Sequence, residues 1–410
     1  MTKKRLRGVS KWRHKMSSPA RQELLSSVKK RYLAANRHEK SKILDELCAS
    51  TGFHRKHAIR TLNNFVEKQP YYEGRGRKKI YDDPQLILIL KKLRVAVGNV
   101  CAELFHPEIP TAIKLYEKHY EKIPEKLKML IKTISVSTLK RVLPNACQAK
   151  SGVKKHYKSA SKLCGQIPLQ NSFPKPQKPG CLEVDLVEHN GGDPGGQYLY
   201  TLTAIDKVTN WITRKCIENK SAYCVHGAMN FVKNKLPYPM YWFDTDNGSE
   251  FLNDLIIRWT QENDYLFTRS RVGKKNDNAH VERANRYYVR ELVGHARFTS
   301  TKALNLINKL YLLDGMYNNF FVAGRKIIKN IYDKATGKHK KEYDVARTPY
   351  ARVLKFYRKE NNETDDICRY LQEVYNLLNP WELASERDKT RKQLLNLIEI
   401  TEEKEQKISN

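Results

Sequence analysis

At 410 residues, 40% of them hydrophobic, the chain is long enough for roughly two to four packed domains. Lys and Arg number 76 against 44 Asp and Glu, and the resulting formal charge of +32 favours a polyanionic partner through counterion release and steering. A membrane is not expected as that partner, because no apolar run approaches the ~18–20 residues of a spanning helix and the basic start is not followed by an apolar stretch. The eight cysteines lie far apart with no CxxC pair, which argues against a disulfide framework or a zinc knuckle and for reduced thiols in a cytoplasmic protein.

Residues 1–40 carry thirteen Lys/Arg and two acids, Glu23 and Glu39, and read as a solvated basic arm that touches phosphates. From Glu39 to Phe65 the pattern turns helical. Ile43, Leu44 and Leu47 share one face, Ala49-Ser50-Thr51-Gly52 forms a turn, and a second helix from about His54 to Asn63 buries Ala58, Ile59 and Leu62. That second helix shows Arg55, Lys56 and Arg60 outward, the layout of a helix-turn-helix, although helical hairpins without a DNA role share it. Gly74-Arg75-Gly76-Arg77-Lys78-Lys79 is a glycine-broken basic linker, slim enough for a minor groove and equally readable as a plain charged linker. Residues 84–143 read as a second helical module that closes with a capped basic helix, Ser135 to Leu143, ahead of Pro144. Residues 148–179, rich in Lys and then in Pro, are a linker.

After the linker the pattern changes. Strands are expected at Cys181–Val187, Tyr198–Ile205 and Trp211–Ile217, a helix at 221–235, and a short strand at Met240–Phe243. A helix near Asn253–Asn263, a strand at Leu266–Ser270 and a helix from about Asn276 to Val293 follow. Three strands and then alternating helices and strands predict an α/β layer with a mixed sheet.

Three acids stand out by position: Asp185 inside the first strand, Asp246 just after the short strand, and Glu282 in the first turns of the last helix. Phosphodiester chemistry uses two divalent ions about 3.5–4 Å apart, and hard Mg²⁺ takes carboxylate oxygens and water. An Asp on a central strand with one acid to either side meets that need. Taken singly, Asp246 also reads as a turn residue before Asn-Gly, and Glu282 as an ion pair with Arg283 or Arg286. Asp185 is harder to explain without a partner or a metal, because a carboxylate within an apolar strand is costly. Asp244 is a rival to Asp246, and Glu183 and Asp206 read as structural or surface acids.

Residues 180–295 resemble the catalytic core of DDE-type bacterial insertion-sequence transposases and retroviral-type integrases. Asp185 matches that family's first acid, and Thr245-Asp246-Asn247-Gly248-Ser249 matches its second-acid motif. Thirty-five residues separate Asp246 from Glu282, and the approach Asn276-Asp277-Asn278-Ala279-His280-Val281-Glu282-Arg283-Ala284-Asn285-Arg286 is similar too. Tyr317-Asn318-Asn319-Phe320-Phe321 and Tyr343 to Tyr350 extend the resemblance, which covers residues 35–355. The N-terminal His/Cys zinc site of retroviral integrases is absent.

The resemblance implies a ribonuclease H-like mixed five-stranded sheet core (180–300). N-terminal helical, helix-turn-helix DNA-binding domains (1–70 and 71–147) would precede the linker. A small basic β-rich module (301–357) and a helical tail (358–410) would follow. It implies two Mg²⁺ ions per active site, with Mn²⁺ able to substitute, held by Asp185, Asp246 and Glu282. Double-stranded DNA, both element ends and target, would be contacted by Lys274, Lys275, Asn285, Arg286 and Arg290 beside the acids. A homo-oligomer in the DNA complex and a nucleoid-associated bacterial setting complete the expectation. An inactive DNA-binding regulator and a metal-dependent nuclease without strand transfer are the alternatives.

Overall fold

The computed structural model describes residues 17–64, 80–143, 167–170, 173–271, 278–333, 337–360 and 366–409. Arg75, Arg77, Lys274 and Lys275 lie outside the described residues. The chain divides into two units between Lys79 and Ile80.

The first unit holds three helices, α1 (Ser18–Ala34), α2 (Arg37–Thr51) and α3 (Arg55–Asn64). Asn36 caps α2 through a capping box, its side chain accepting from the Glu39 N–H while Glu39 reaches back to the Asn36 N–H. Gly52 ends α2 at φ 74°, a left-handed conformation that glycine adopts without strain. Helix α1 was not expected: most of the basic arm's second half is helical. Leu25, Val28 and Tyr32 recur at helical spacing and pack with Ile43, Leu44, Leu47, Ala58 and Leu62.

The second unit is α/β, built on a mixed five-stranded sheet. Its strands are β1 (Cys181–Glu188), β2 (Tyr200–Asp206), β3 (Ile212–Ile217), β4 (Trp242–Thr245) and β5 (Leu266–Arg269), in the order β3-β2-β1-β4-β5. β1, β2 and β3 are antiparallel neighbours, whereas β4 runs parallel to β1 and β5 parallel to β4. On one face Leu182, Val184 and Leu186 of β1 pack with α8 (Ala222–Lys235) and α9 (Asp254–Glu262). On the other, Val187 packs with Val289, Ile307 and Leu310. Because side chains alternate along a strand, Glu183 and Asp185 share the face of Val187.

That second face is covered by α10 (Ala279–Ala284), a π-helical segment (Asn285–Arg290), α11 (Glu291–Val293) and α12 (Thr301–Phe321). Two asparagines of α12 reach the outer edge of β3. Asn319 exchanges hydrogen bonds with the N–H and C=O of Ile212, both 2.9 Å, and Asn308 does the same with Cys216 at 2.9 and 3.1 Å. The opposite edge, β5, is joined at Arg269 by residues 167–169.

Helices α4 (Pro84–Ala96), α5 (Ala102–His119), α6 (Glu125–Thr133) and α7 (Val136–Val142) form where the sequence placed them, and Ser135 caps α7 as expected. They do not stand apart as a module, however. Their apolar faces share one core with Phe320 and Phe321 of α12, Val353 of α13 (Pro349–Glu360), Leu371 of α14 (Asp366–Leu377) and Leu383 of α15 (Pro380–Ser409). Trp381 also donates to the Lys92 carbonyl at 3.0 Å. The expected β-rich module at 301–357 contains one hairpin, β6 (Ile327–Asp333) and β7 (Lys338–Tyr343), between the two helices α12 and α13. Among the described residues no helix is long and apolar enough to cross a membrane, and the described cysteines are all free.

Candidate active site

Asp185 lies in the middle strand of the sheet, partly exposed between buried neighbours. β1 and β4 are in parallel register with Glu183 opposite Asp244. Asp185 comes two residues later in β1, and Asp246 directly follows the last residue of β4, at its carboxyl end. Open α/β sheets present ligands at that end of their parallel strands. The Asp246 carboxylate accepts the Gly248 N–H at 3.0 Å, and Asn247 ties the end of β4 to that of β5 by donating to the Ser270 carbonyl at 2.9 Å. Asp246 therefore is a turn residue, yet one fixed at the sheet's carboxyl edge and partly open to solvent. Asp244 is buried and accepts from the Thr268 hydroxyl at 2.8 Å, which in turn accepts from Trp242 Nε1 at 2.8 Å. It serves the strand pairing.

Glu282 is on α10, exposed, between two tethers to β1. Buried Glu183 accepts the N–H groups of His280 and Val281 at 2.9 and 3.0 Å through one oxygen and pairs with Lys207 at 3.0 Å through the other. A carboxylate at the amino end of a helix satisfies free N–H groups and meets the positive end of the dipole. At the far end of α10, Asn285 Nδ2 donates to Asp185 Oδ2 at 2.8 Å. Glu282 lies three residues before Asn285 along the same continuous helical stretch. Among the described residues, however, no group of three His, Cys, Asp or Glu side chains is close enough to hold a metal ion. Asp185 in β1, Asp246 just past β4 and Glu282 on α10 do not form such a group.

The π-helical segment just after Glu282 is braced by cations. Arg214 of β3, fully buried, donates to the Tyr288 carbonyl, pairs with Asp314 of α12 at 2.8 Å, and lies 4.8 Å over the Tyr311 ring. Arg290 donates to the Glu188 carbonyl at 2.8 Å, so its guanidinium is engaged inside the protein. Arg286 is exposed, 3.8 Å from Glu291, and stacks over Tyr287. π-turns within helices occur often at functional sites.

In the N-terminal unit Lys56 and Arg60 are exposed on α3 as expected. Arg55 instead turns back to α2, pairing with Asp45 and donating to Ser41 at 2.5 Å. Glu183, expected as a structural or surface acid, is structural, and Arg214 was not singled out from the sequence. For Glu183 a signal was present, since its position two residues before Asp185 puts both on one face.

No protein-family model matches the chain. A relative from Sinorhizobium fredii (strain NBRC 101917 / NGR234), named "Uncharacterized protein y4rM", is 30% identical over 317 residues, 76% of this chain and 89% of the relative. The chain belongs to the y4rM family. Among solved structures, the catalytic core domain of BIV integrase matches 44% of the chain and 97% of its own length, at 14% identity and a TM-score of 0.32.

Proposed function

We propose that the protein is a DNA transposase or integrase that cuts next to the end of a mobile element and joins the freed 3′-hydroxyl to target DNA. The observation that supports this reading is that Asp185 lies in β1, Asp246 follows β4, its parallel neighbour, and Asn285, three residues past Glu282, bonds the Asp185 carboxylate. Acids from two strands and a helix, with no His or Cys among them, make an oxygen-only donor set suited to Mg²⁺ or Mn²⁺. Asp185, Asp246 and Glu282 would hold the ions. Ions held there would supply activation of the attacking oxygen and stabilisation of the leaving one.

The chain's own residues prepare the rest. Asn285 fixes the rotamer of Asp185, Glu183 fixes the start of α10, and exposed Arg286 beside Glu282 offers a fork for a phosphate. The basic α3 face at Lys56 and Arg60 supplies a second contact with duplex DNA. The excess of cations over the whole chain favours that partner.

The test is a reaction in Mg²⁺ or Mn²⁺ with DNA carrying the element's flanking ends, comparing wild type with Asp246→Asn. Nicking and joining by wild type, with binding alone by the variant, supports the proposal. Equal binding without cutting by either protein points to a DNA-binding regulator, and cutting without joining points to a nuclease.

A further inference from the structure

Among the described residues nothing packs on either face of the β6–β7 hairpin. Every residue of it whose burial is described is exposed, and none of those side chains enters a hydrophobic cluster of the protein. A two-stranded ribbon left alone in water is marginal, so one held this way is suited to resting on something else.

Its two faces differ. Directly opposed residues of antiparallel strands project to the same side. Ile327 with Tyr343, Asn330 with Lys341, and Tyr332 with His339 therefore share one face, the irregularity after Ile327 bringing that residue into the set. No acid interrupts it. Ile327, Tyr332 and Tyr343 are 52%, 54% and 49% exposed, and the Tyr332 ring lies 4.9 Å from that of His339. The other face opposes Lys329 to Glu342 and Ile331 to Lys340. Between Arg325 and Val345 the sequence holds seven Lys/Arg against three acids.

We propose that this hairpin enters the major groove of duplex DNA with its acid-free face toward the bases. A two-stranded ribbon, its strands about 4.8 Å apart, is among the few elements slim enough for a groove about 12 Å wide. Asn330 and Lys341 sit side by side on the leading face, an amide and an ammonium of the kinds that read adenine and guanine edges. Tyr332 and Tyr343 give that face apolar surface for thymine methyls. Lys329 and Lys340 are long enough to reach the flanking phosphates. A second copy of this chain is the poorer occupant, because its surface carries the same excess of positive charge.

The proposal deepens the DNA reading above and rests on it. Its test uses the full chain without divalent metal, so that nothing is cut. Fluorescence anisotropy would follow binding to an element-end duplex, a scrambled duplex and the matching single strand over a range of salt. The Lys329→Ala/Lys340→Ala/Lys341→Ala variant should lower the slope of log affinity against log salt by about two to three. Asn330→Ala/Tyr332→Ala should lose about tenfold on the element end and much less on scrambled duplex. Melting temperatures should match wild type, since among the described residues these side chains pack on nothing outside the hairpin. Wild-type-like duplex binding by both variants overturns the hairpin's role and leaves the DNA reading standing. A larger loss on single strand than on duplex, or lost self-association with duplex binding intact, overturns the groove assignment in favour of an unpaired strand or a second copy. Failure of wild type to bind any duplex removes both proposals.

Discussion

Asp185 and Asn285 stand one hundred residues apart in sequence and share a 2.8 Å hydrogen bond that joins the central strand to the helix of Glu282. Asn285 was expected to grip DNA, and its amide nitrogen is instead given to an acid. Asn285→Ala should lower cutting about 10–100-fold, the usual effect of losing a partner that orients a metal-binding carboxylate. Duplex affinity without metal should stay within about twofold. Equal loss of affinity and activity in a titration of both would make Asn285 a DNA contact after all.

The buried pair Arg214–Asp314 holds the π-helical segment through the Tyr288 carbonyl. Arg214→Met should destabilise the protein by about 3–5 kcal/mol, because it leaves a buried carboxylate poorly matched and a carbonyl without its donor. Arg387, 3.5 Å from Asp314, brings the loss toward the lower end of that range. The double change Arg214→Met/Asp314→Leu should recover much of it, as read by urea unfolding. A double variant no more stable than the single would assign the loss to the Tyr288 carbonyl.

His189 follows β1, is fully buried, and bonds the Thr201 hydroxyl at 2.7 Å. Burial first, and then the nearby Arg290 and His295 charges, push its imidazole down to about 3. The unfolded chain takes up this proton near pH 6.5 and the folded one does not, so His189 contributes stability above that pH and loses it as the pH falls toward 3. Thermal melts of wild type should therefore fall over that window by more than those of His189→Gln. The difference should amount to a few kcal/mol by the bottom of the window. Parallel curves would remove His189 as the source.

On α3, Lys56→Ala and Arg60→Ala should each lower the salt slope of DNA binding by about 0.9 and leave the melting temperature unchanged. Arg55→Ala should do the reverse, costing up to about 1 kcal/mol of stability with little effect on binding, because its guanidinium is spent on Asp45 and Ser41. A drop in the slope for Arg55→Ala would return it to the DNA-facing set.

The local grammar of the sheet was open to reading. Cys181 to Glu188 alternates as a strand should, and all five strands and the helices between them fall within two residues of their expected bounds. The turn chemistry of Asp246-Asn247-Gly248 likewise located Asp246 at a strand end. What stayed hidden depends on partners far along the chain. Helix α1 was masked by its own charge, since its few apolar residues sit among lysines and arginines. The helices from α4 to α7 displayed apolar faces without saying that residues 320–384 cover them. Glu183 looked like one more acid until the amino end of α10, nearly one hundred residues later, arrived on top of it.

The asparagines of α12 have a consequence beyond the fold. By engaging both backbone groups of Ile212 and of Cys216, Asn308 and Asn319 leave β3 with little to offer an incoming strand. Residues 167–169 occupy the other margin at Arg269. If the protein acts as the transposase we propose, two copies holding two DNA ends would not join by running one five-stranded sheet into the next. Such copies would meet instead through helices, the β6–β7 hairpin or the DNA they share, and an assembly held by the DNA would come apart when the DNA leaves.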